Sequence, residues 1–378
     1  MSPCQHLWHT SYVYAGLGLL ADRGEIELDI RRIGALRPRP SDELPGVFVE
    51  VKDLASAARK LVCFEVMDRS DLLVKDAAER CELYFKRSYY RPDVRRALGD
   101  LSRKVVPFGL NFPCQYGGES GGTARAFRLI VAQYAGRLLL CPRQARREFR
   151  EMQNSLRAFR ASPNVRAFDY EPDQPHDPCV VFQTRVWEPH DTTDDADQVN
   201  QERVDLVRAL RDALGERFVG GLVPTPFAAK NFPDAVTPHD ASRAGYVQMS
   251  KRSLVGVYSR GLHHSLAFKL AEYLAASKCV VSTPFRNELP APLVEGTNYL
   301  EFDGIEQCVA QCRRLLADAD LAAEMRRRNR EYFLREVEPA SHMRRCLDRA
   351  FDTTSSDGTI AEPSMARVFN PCERCAEN

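Results

Sequence analysis

The sequence predicts two α/β domains in tandem, each built on a parallel sheet, and three observations predict it. Short apolar runs alternate with helical patterns through the first third, the rhythm of a parallel sheet covered on both faces. A break rich in Pro and Asp at 172–178 interrupts that rhythm, and the same alternation restarts behind it. The length of 378 residues suits two domains with sizeable cores.

In chain order, strands are expected at 5–9, 26–32, 46–51, 61–67, 83–86 and 104–108, with helices at 12–23 and 71–80 between them. From 123 to 161 the pattern is helical and rich in Arg, ending at Ser162-Pro163-Asn164, and it reads as a solvated helix face. Behind the break come a strand at 179–185, a helix at 199–214 and strands at 217–222 and 253–258. A helix at 265–277, strands at 279–283 and 298–302, and helices at 305–316, 321–333 and around 340–351 complete the second unit. The domains expected are therefore 1–175 and 176–352, followed by a polar tail at 353–378.

Composition narrows the function classes. With 53 basic against 52 acidic residues the chain has no field for nucleic acid, so none is expected as a partner. No run approaches the 18 to 20 apolar residues of a membrane span. Residues 1–10 lack a charged start followed by an apolar segment, so the expectation is a cytoplasmic protein, with peripheral attachment to a membrane compatible. Most of the twelve cysteines lie in apolar runs, where a reduced thiol packs as a small hydrophobe. Cys372 and Cys375 form one CxxC without a second ligand pair, and no metal site is expected.

The segment 257–283 carries the chemistry. It reads strand, loop, helix, strand, and at 100° per residue Leu266, Leu270, Tyr273 and Leu274 form a burying stripe. Ser265, Lys269 and Glu272 form a second stripe able to face a ligand. Arg260, His263, His264 and Ser265 fall at the expected helix start, where unpaired N–H groups and the helix dipole favour a phosphate. Lys269 adds a cation one turn in, and Glu272 can accept hydrogen bonds from vicinal hydroxyls such as those of a ribose. Taken singly, Lys269 and Glu272 read first as an i,i+3 surface pair of an ordinary amphipathic helix.

Leu262 to Thr283, with Lys269-Leu-Ala-Glu272-Tyr followed by a Val280-Val-Ser strand, resembles the donor helix of GT-B glycosyltransferases. The resemblance runs from about 180 to 351 and includes Glu295-Gly-Thr-Asn-Tyr-Leu-Glu-Phe302. It implies two Rossmann-like domains facing a cleft and hexosyl transfer from a nucleotide-sugar, which is co-substrate rather than cofactor. The implied acceptor hydroxyl belongs to a glycan, a lipid-linked sugar, a protein or a small molecule, and no metal is required. Arg185 matches the family's basic residue near the donor diphosphate, and Glu272 its ribose carboxylate. Many retaining members carry a Glu eight residues earlier; here that position is His264, as in the signature of inverting members. His9 stands where inverting relatives hold their general base, Asp68 is the other candidate, and Asp71 is placed to cap the next helix. Asp195-Ala-Asp197 reads as solvated linker rather than a metal motif. Two alternatives stand beside transfer: a GT-B-fold epimerase or hydrolase of nucleotide-sugars, and a catalytically silent GT-B-like binding module.

Overall fold

The structure, a computed structural model, describes residues 7–30, 46–54, 56–140, 145–188 and 195–351. It opens with a helix, α1 (Leu7–Asp22), where a strand is expected at 5–9. The short aromatic run there fits either period, and burial decides it: Leu7 and every residue from Thr10 to Leu20 are buried. A helix buried on all sides is an internal one.

The first sheet has the order β1 (Gly46–Lys52), β2 (Arg59–Glu65), β3 (Leu83–Lys86), β4 (Val105–Pro107). β2, β3 and β4 are parallel, as expected, but β1 pairs antiparallel with β2, Gly46 opposite Glu65 and Lys52 opposite Arg59. The six residues between Lys52 and Arg59 are too few for a parallel crossover, which needs a dozen or more. No strand forms over 26–30, and 31–32 lie outside the described residues. Helices α2 (Lys75–Arg80) and α3 (Arg91–Leu98) flank this sheet. The Arg-rich stretch is two helices, α4 (Gly122–Leu140) and α5 (Ala145–Ala161), packed on each other and on α1.

The second sheet is entirely parallel. It comprises β5 (Asp177–Thr184), β6 (Phe218–Leu222), β7 (Ser253–Tyr258), β8 (Cys279–Ser282) and β9 (Leu300–Glu301) in the order β6-β5-β7-β8-β9. Its connections carry α6 (Ala196–Leu214), α7 (Pro226–Asn231), α8 (Arg243–Arg252) and α9 (Phe268–Ala275), and α10 (Ile305–Ala317) follows the last strand. α11 (Ala319–Tyr332) then leads through a π turn into α12 (Pro339–Phe351). β7 is buried along its whole length, as a central parallel strand must be.

The two sheets share contacts. α12 lies along α1, and a Cβ on Gly16 would come within 2.4 Å of the Pro339 carbonyl, so glycine allows the close approach. His342 of α12 bonds the Phe108 carbonyl (2.6 Å) and meets the Tyr12 hydroxyl (2.9 Å). Arg91 pairs with Glu288 (2.8 Å) and Arg286 with Asp93 (3.0 Å) across the same seam. Arg326 and Arg330 of α11 hold the segment before β5 through the Gln174 carbonyl (3.1 Å) and Glu171 (2.5 Å). The eight cysteines of the described residues are buried and unbridged.

Candidate functional site

In the second sheet the chain runs from β5 outward to β6, then returns to place β7 on the other side of β5. That reversal is a topological switch point, and ligands of open α/β sheets bind outside the carboxyl ends of the strands there. The loops leaving β5 and β7 carry Arg185 and Arg260. Arg203 of α6, 4% exposed, ties the two together: Nη1 donates to the Arg185 carbonyl (2.7 Å) and Nη2 to the Arg260 carbonyl (2.9 Å). Burial, with the charge of Arg185 second, pushes the Arg203 guanidinium down to about 9. Its Cζ lies 4.4 Å from the Trp187 ring centroid, and the Arg185 Cζ lies 5.3 Å from the same ring. Asn200, one turn before Arg203, bonds both the N–H and the carbonyl of Trp187 (2.9 and 2.8 Å).

The predicted donor residues divide into those left unpaired at this end of the sheet and those already paired. Arg185 is exposed at the strand end and makes no ion pair among the described residues. Arg260 is held by Asp195 (2.9 Å) and Glu202 (3.0 Å). His263 and His264 do not start a helix, as expected from the sequence, but form a short turn with φ of 55° and 59°; α9 begins only at Phe268. Such a left-handed backbone costs about 1–2 kcal/mol per residue. Asp195 fixes it by accepting from the His263 N–H (2.8 Å), and Asn287 by donating to the His264 carbonyl (2.7 Å). Partial burial, then Arg260 and Arg286, keep the His264 imidazole below its ordinary value. Ser265 is buried and closes the turn, its carbonyl accepting from the Gly261 N–H (2.9 Å).

Lys269 and Glu272 share α9. The Lys269 ammonium lies 4.6 Å from the Phe182 ring centroid, and burial, then Arg203, lower its value well below the ordinary one against the pull of Glu272. Glu272 is 3% exposed and already carries a cation, Arg243 Nη2 of α8 at 2.5 Å. Arg243 in turn sits against Phe168 and Tyr246.

The first half supplies the opposite wall. Asp68 follows β2 and pairs with Arg87, which follows β3 and is 2% exposed. Arg87 also donates to Asn111 (2.9 Å) and to the Leu266 carbonyl of the second half, and stacks 4.4 Å from the Phe268 ring centroid. His9, on the first turn of α1 rather than at a strand end, lies 5.6 Å from that ring. Burial raises the Asp68 carboxyl, but Arg87, His9 and Arg185 together hold it below its ordinary value. His9, Asp68 and Arg185, far apart in sequence, thus converge electrostatically at one seam. Asp71 instead pairs with Arg69 (2.6 Å) in solvent, and Val74 precedes α2.

Arg87, Arg203 and Arg243 are the site residues that sequence reasoning missed. Arg203 was detectable, because it occupies the buried stripe Val199, Arg203, Leu206, Leu210 of an amphipathic helix. A cavity of about 490 Å³, lined by Arg23, Arg166, Asp169, Glu171, Arg330 and Glu338 among others, is lined by none of the candidate residues. Among the described residues no three His, Cys, Asp or Glu cluster as metal ligands would.

The family model described as glycosyl transferase-like matches residues 203–348, starting at Arg203. No curated protein matches the chain. Among solved structures it is similar to the C-terminal domain of a glycosyl transferase group 1 family protein, LpcC, from Francisella tularensis, at 11% identity, covering 46% of this chain and 96% of that one, with a TM-score of 0.33. WaaG, a glycosyltransferase involved in lipopolysaccharide biosynthesis, matches at 12% identity over 48% of each chain (TM-score 0.31). AviGT4, a glycosyltransferase involved in avilamycin A biosynthesis, matches at 16% identity over 50% of this chain and 57% of that one (TM-score 0.32). The match thus spans about half the length of the latter two. The stretch that matches the glycosyl transferase-like model, 203–348, holds Arg203, Arg260, Lys269 and Glu272.

Proposed function

We propose that the protein is a glycosyltransferase that moves a sugar, a hexose in the simplest case, from a nucleotide-diphosphate donor to an acceptor hydroxyl without a resident metal. The observation that carries this reading is the cluster at the carboxyl ends of β5 and β7, where exposed Arg185 stands beside buried Arg203 and half-buried Lys269, opposite His9 and the Asp68–Arg87 pair. Three basic side chains in one partly desolvated place suit a diphosphate whose charge grows as the glycosidic bond breaks. Arg185 contacts the diphosphate in this reading, with Lys269 and Arg203 behind it. Glu272, fixed by Arg243, offers its second oxygen to the ribose.

His9 takes the proton from the acceptor hydroxyl as that oxygen attacks the anomeric carbon. Asp68, held ionised by Arg87, steadies the imidazolium that forms. The test is release of nucleoside diphosphate from a panel of nucleotide-sugars, with and without candidate acceptors and with EDTA present. His9→Ala should abolish transfer and spare donor binding; full activity in that variant removes the base assignment. Release without any sugar-bearing product would point to hydrolysis instead.

A further inference from the structure

The Arg-rich hairpin takes no part in the proposed chemistry. Residues 122–161 contain nine arginines against two glutamates, Glu148 and Glu151, in a chain whose net charge is only +1. At 100° per residue, Arg146, Phe149, Arg150, Gln153, Arg157 and Arg160 of α5 fall within an arc of roughly 100°. All six are exposed, Phe149 by 49%. The opposite side is anchored, with Met152 and Phe159 packed against the core and Phe159 stacked 4.3 Å from Phe127 of α4.

A solvated helix face in this same chain looks different. On α11, Arg327 and Arg328 are matched by Glu324 (2.6 and 2.7 Å) and Glu331. Among the described residues, Arg146, Arg150, Arg157 and Arg160 make no ion pair at all. Four guanidinium groups with no ion pair among the described residues, set around one exposed aromatic ring, form a surface that suits an anionic partner with an apolar interior.

We propose that this face of α5 docks on an anionic lipid bilayer, the arginines on phosphate headgroups and Phe149 at the acyl boundary. A groove for single-stranded nucleic acid would present successive aromatic platforms, whereas this face has one. Because α4 and α5 pack on α1, docking fixes the helix that carries His9 relative to the surface.

The test is co-sedimentation of the full chain with vesicles of phosphatidylcholine alone or with one third phosphatidylglycerol, at low and physiological ionic strength. The chain should partition onto the anionic vesicles only, and less so as salt rises. Arg150→Gln with Arg157→Gln should lower the partition coefficient roughly thirty-fold. Phe149→Ser should lower it as well, at low and at physiological salt alike. Both variants should keep the parent melting temperature, since these side chains are exposed. Arg103→Gln with Arg217→Gln, exposed elsewhere, should change nothing. No partition onto anionic vesicles at low salt overturns the proposal, as does an equal loss in the Arg103 and Arg217 variant. Tight binding of a single-stranded oligonucleotide without vesicle binding assigns the face to nucleic acid instead.

Discussion

The guanidinium of Arg203 donates to the backbone carbonyl of Arg185 at 2.7 Å, and its other nitrogen reaches the carbonyl of Arg260 at 2.9 Å. One buried side chain on α6 therefore sets the separation of the two strand ends between which the ligand is proposed to lie. A planar fork can bridge two carbonyls in this way; a lysine ammonium cannot hold both at that geometry. Arg203→Lys is expected to cost about 2 kcal/mol in denaturant unfolding, the loss of one charge-assisted bond. It should weaken nucleoside diphosphate binding at the same time. A variant with parent stability and affinity would show that the strand ends are held by other means.

Glu272 behaves differently from a surface carboxylate. Because Arg243 is bound to it at 2.5 Å and only 27% of the Arg243 side chain is exposed, Glu272→Ala leaves a largely buried cation unpaired. The expected cost is about 3 kcal/mol. Glu272→Gln retains the shape and should cost less while still weakening nucleotide affinity. Thermal unfolding of both variants, beside titration with nucleotide, separates the two effects. Equal stability of the alanine variant and the parent contradicts the pairing.

Asp68 titrates below its ordinary value because Arg87, His9 and Arg185 outweigh burial. Its carboxylate is therefore ionised near neutrality, and an acidic limb of the rate profile there belongs to another group. Asp68→Asn should reduce transfer by about 100-fold while leaving donor affinity within a factor of two, given the usual size of a general acid–base contribution. That variant should also leave the neutral limb in place. Its disappearance would assign the limb to Asp68.

Acid stability tests the seam between α1 and α12. Burial, with Arg345 adding to it, pushes the His342 imidazole down to about 3. The unfolded chain takes up a proton near pH 6.5, so between those values it binds more protons than the folded one and stability falls as pH falls. About 2 kcal/mol is lost by pH 5 from this group alone. His342→Gln keeps a donor for the Phe108 carbonyl and removes the titration, so its loss between pH 7 and pH 5 should be smaller by about that amount. An unchanged loss would place the acid sensitivity elsewhere.

The second sheet was readable from sequence because buried parallel strands are continuous apolar runs: Ser253–Tyr258 and Cys279–Ser282 stand within a residue of their expected positions. β1 was placed correctly but its direction was not, since pairing follows from the length of the loop to β2 rather than from the strand's own residues. The opening helix was misread because Gln5 to His9 is too short to show a period, and burial from α12, more than three hundred residues away, fixes its state. At the site, residue types were legible and partners were not. Arg260 and Glu272 both suit a ligand by chemistry, yet Asp195, Glu202 and Arg243 claim them through contacts between separate elements. α3, α7 and α8 went unrecognised, and Arg243 with them, because each is short, from six to ten residues.

The most direct measurement is thermal unfolding of the protein and its Arg185→Ala variant against UDP, GDP, dTDP, ADP and CMP with EDTA present. Stabilisation grows with the ratio of ligand concentration to dissociation constant. A nucleotide site at the ends of β5 and β7 predicts that one nucleoside diphosphate raises the melting temperature of the parent and that the rise is lost in the variant. A folded parent that responds to none of them, or a variant that responds as the parent does, contradicts a diphosphate site at Arg185.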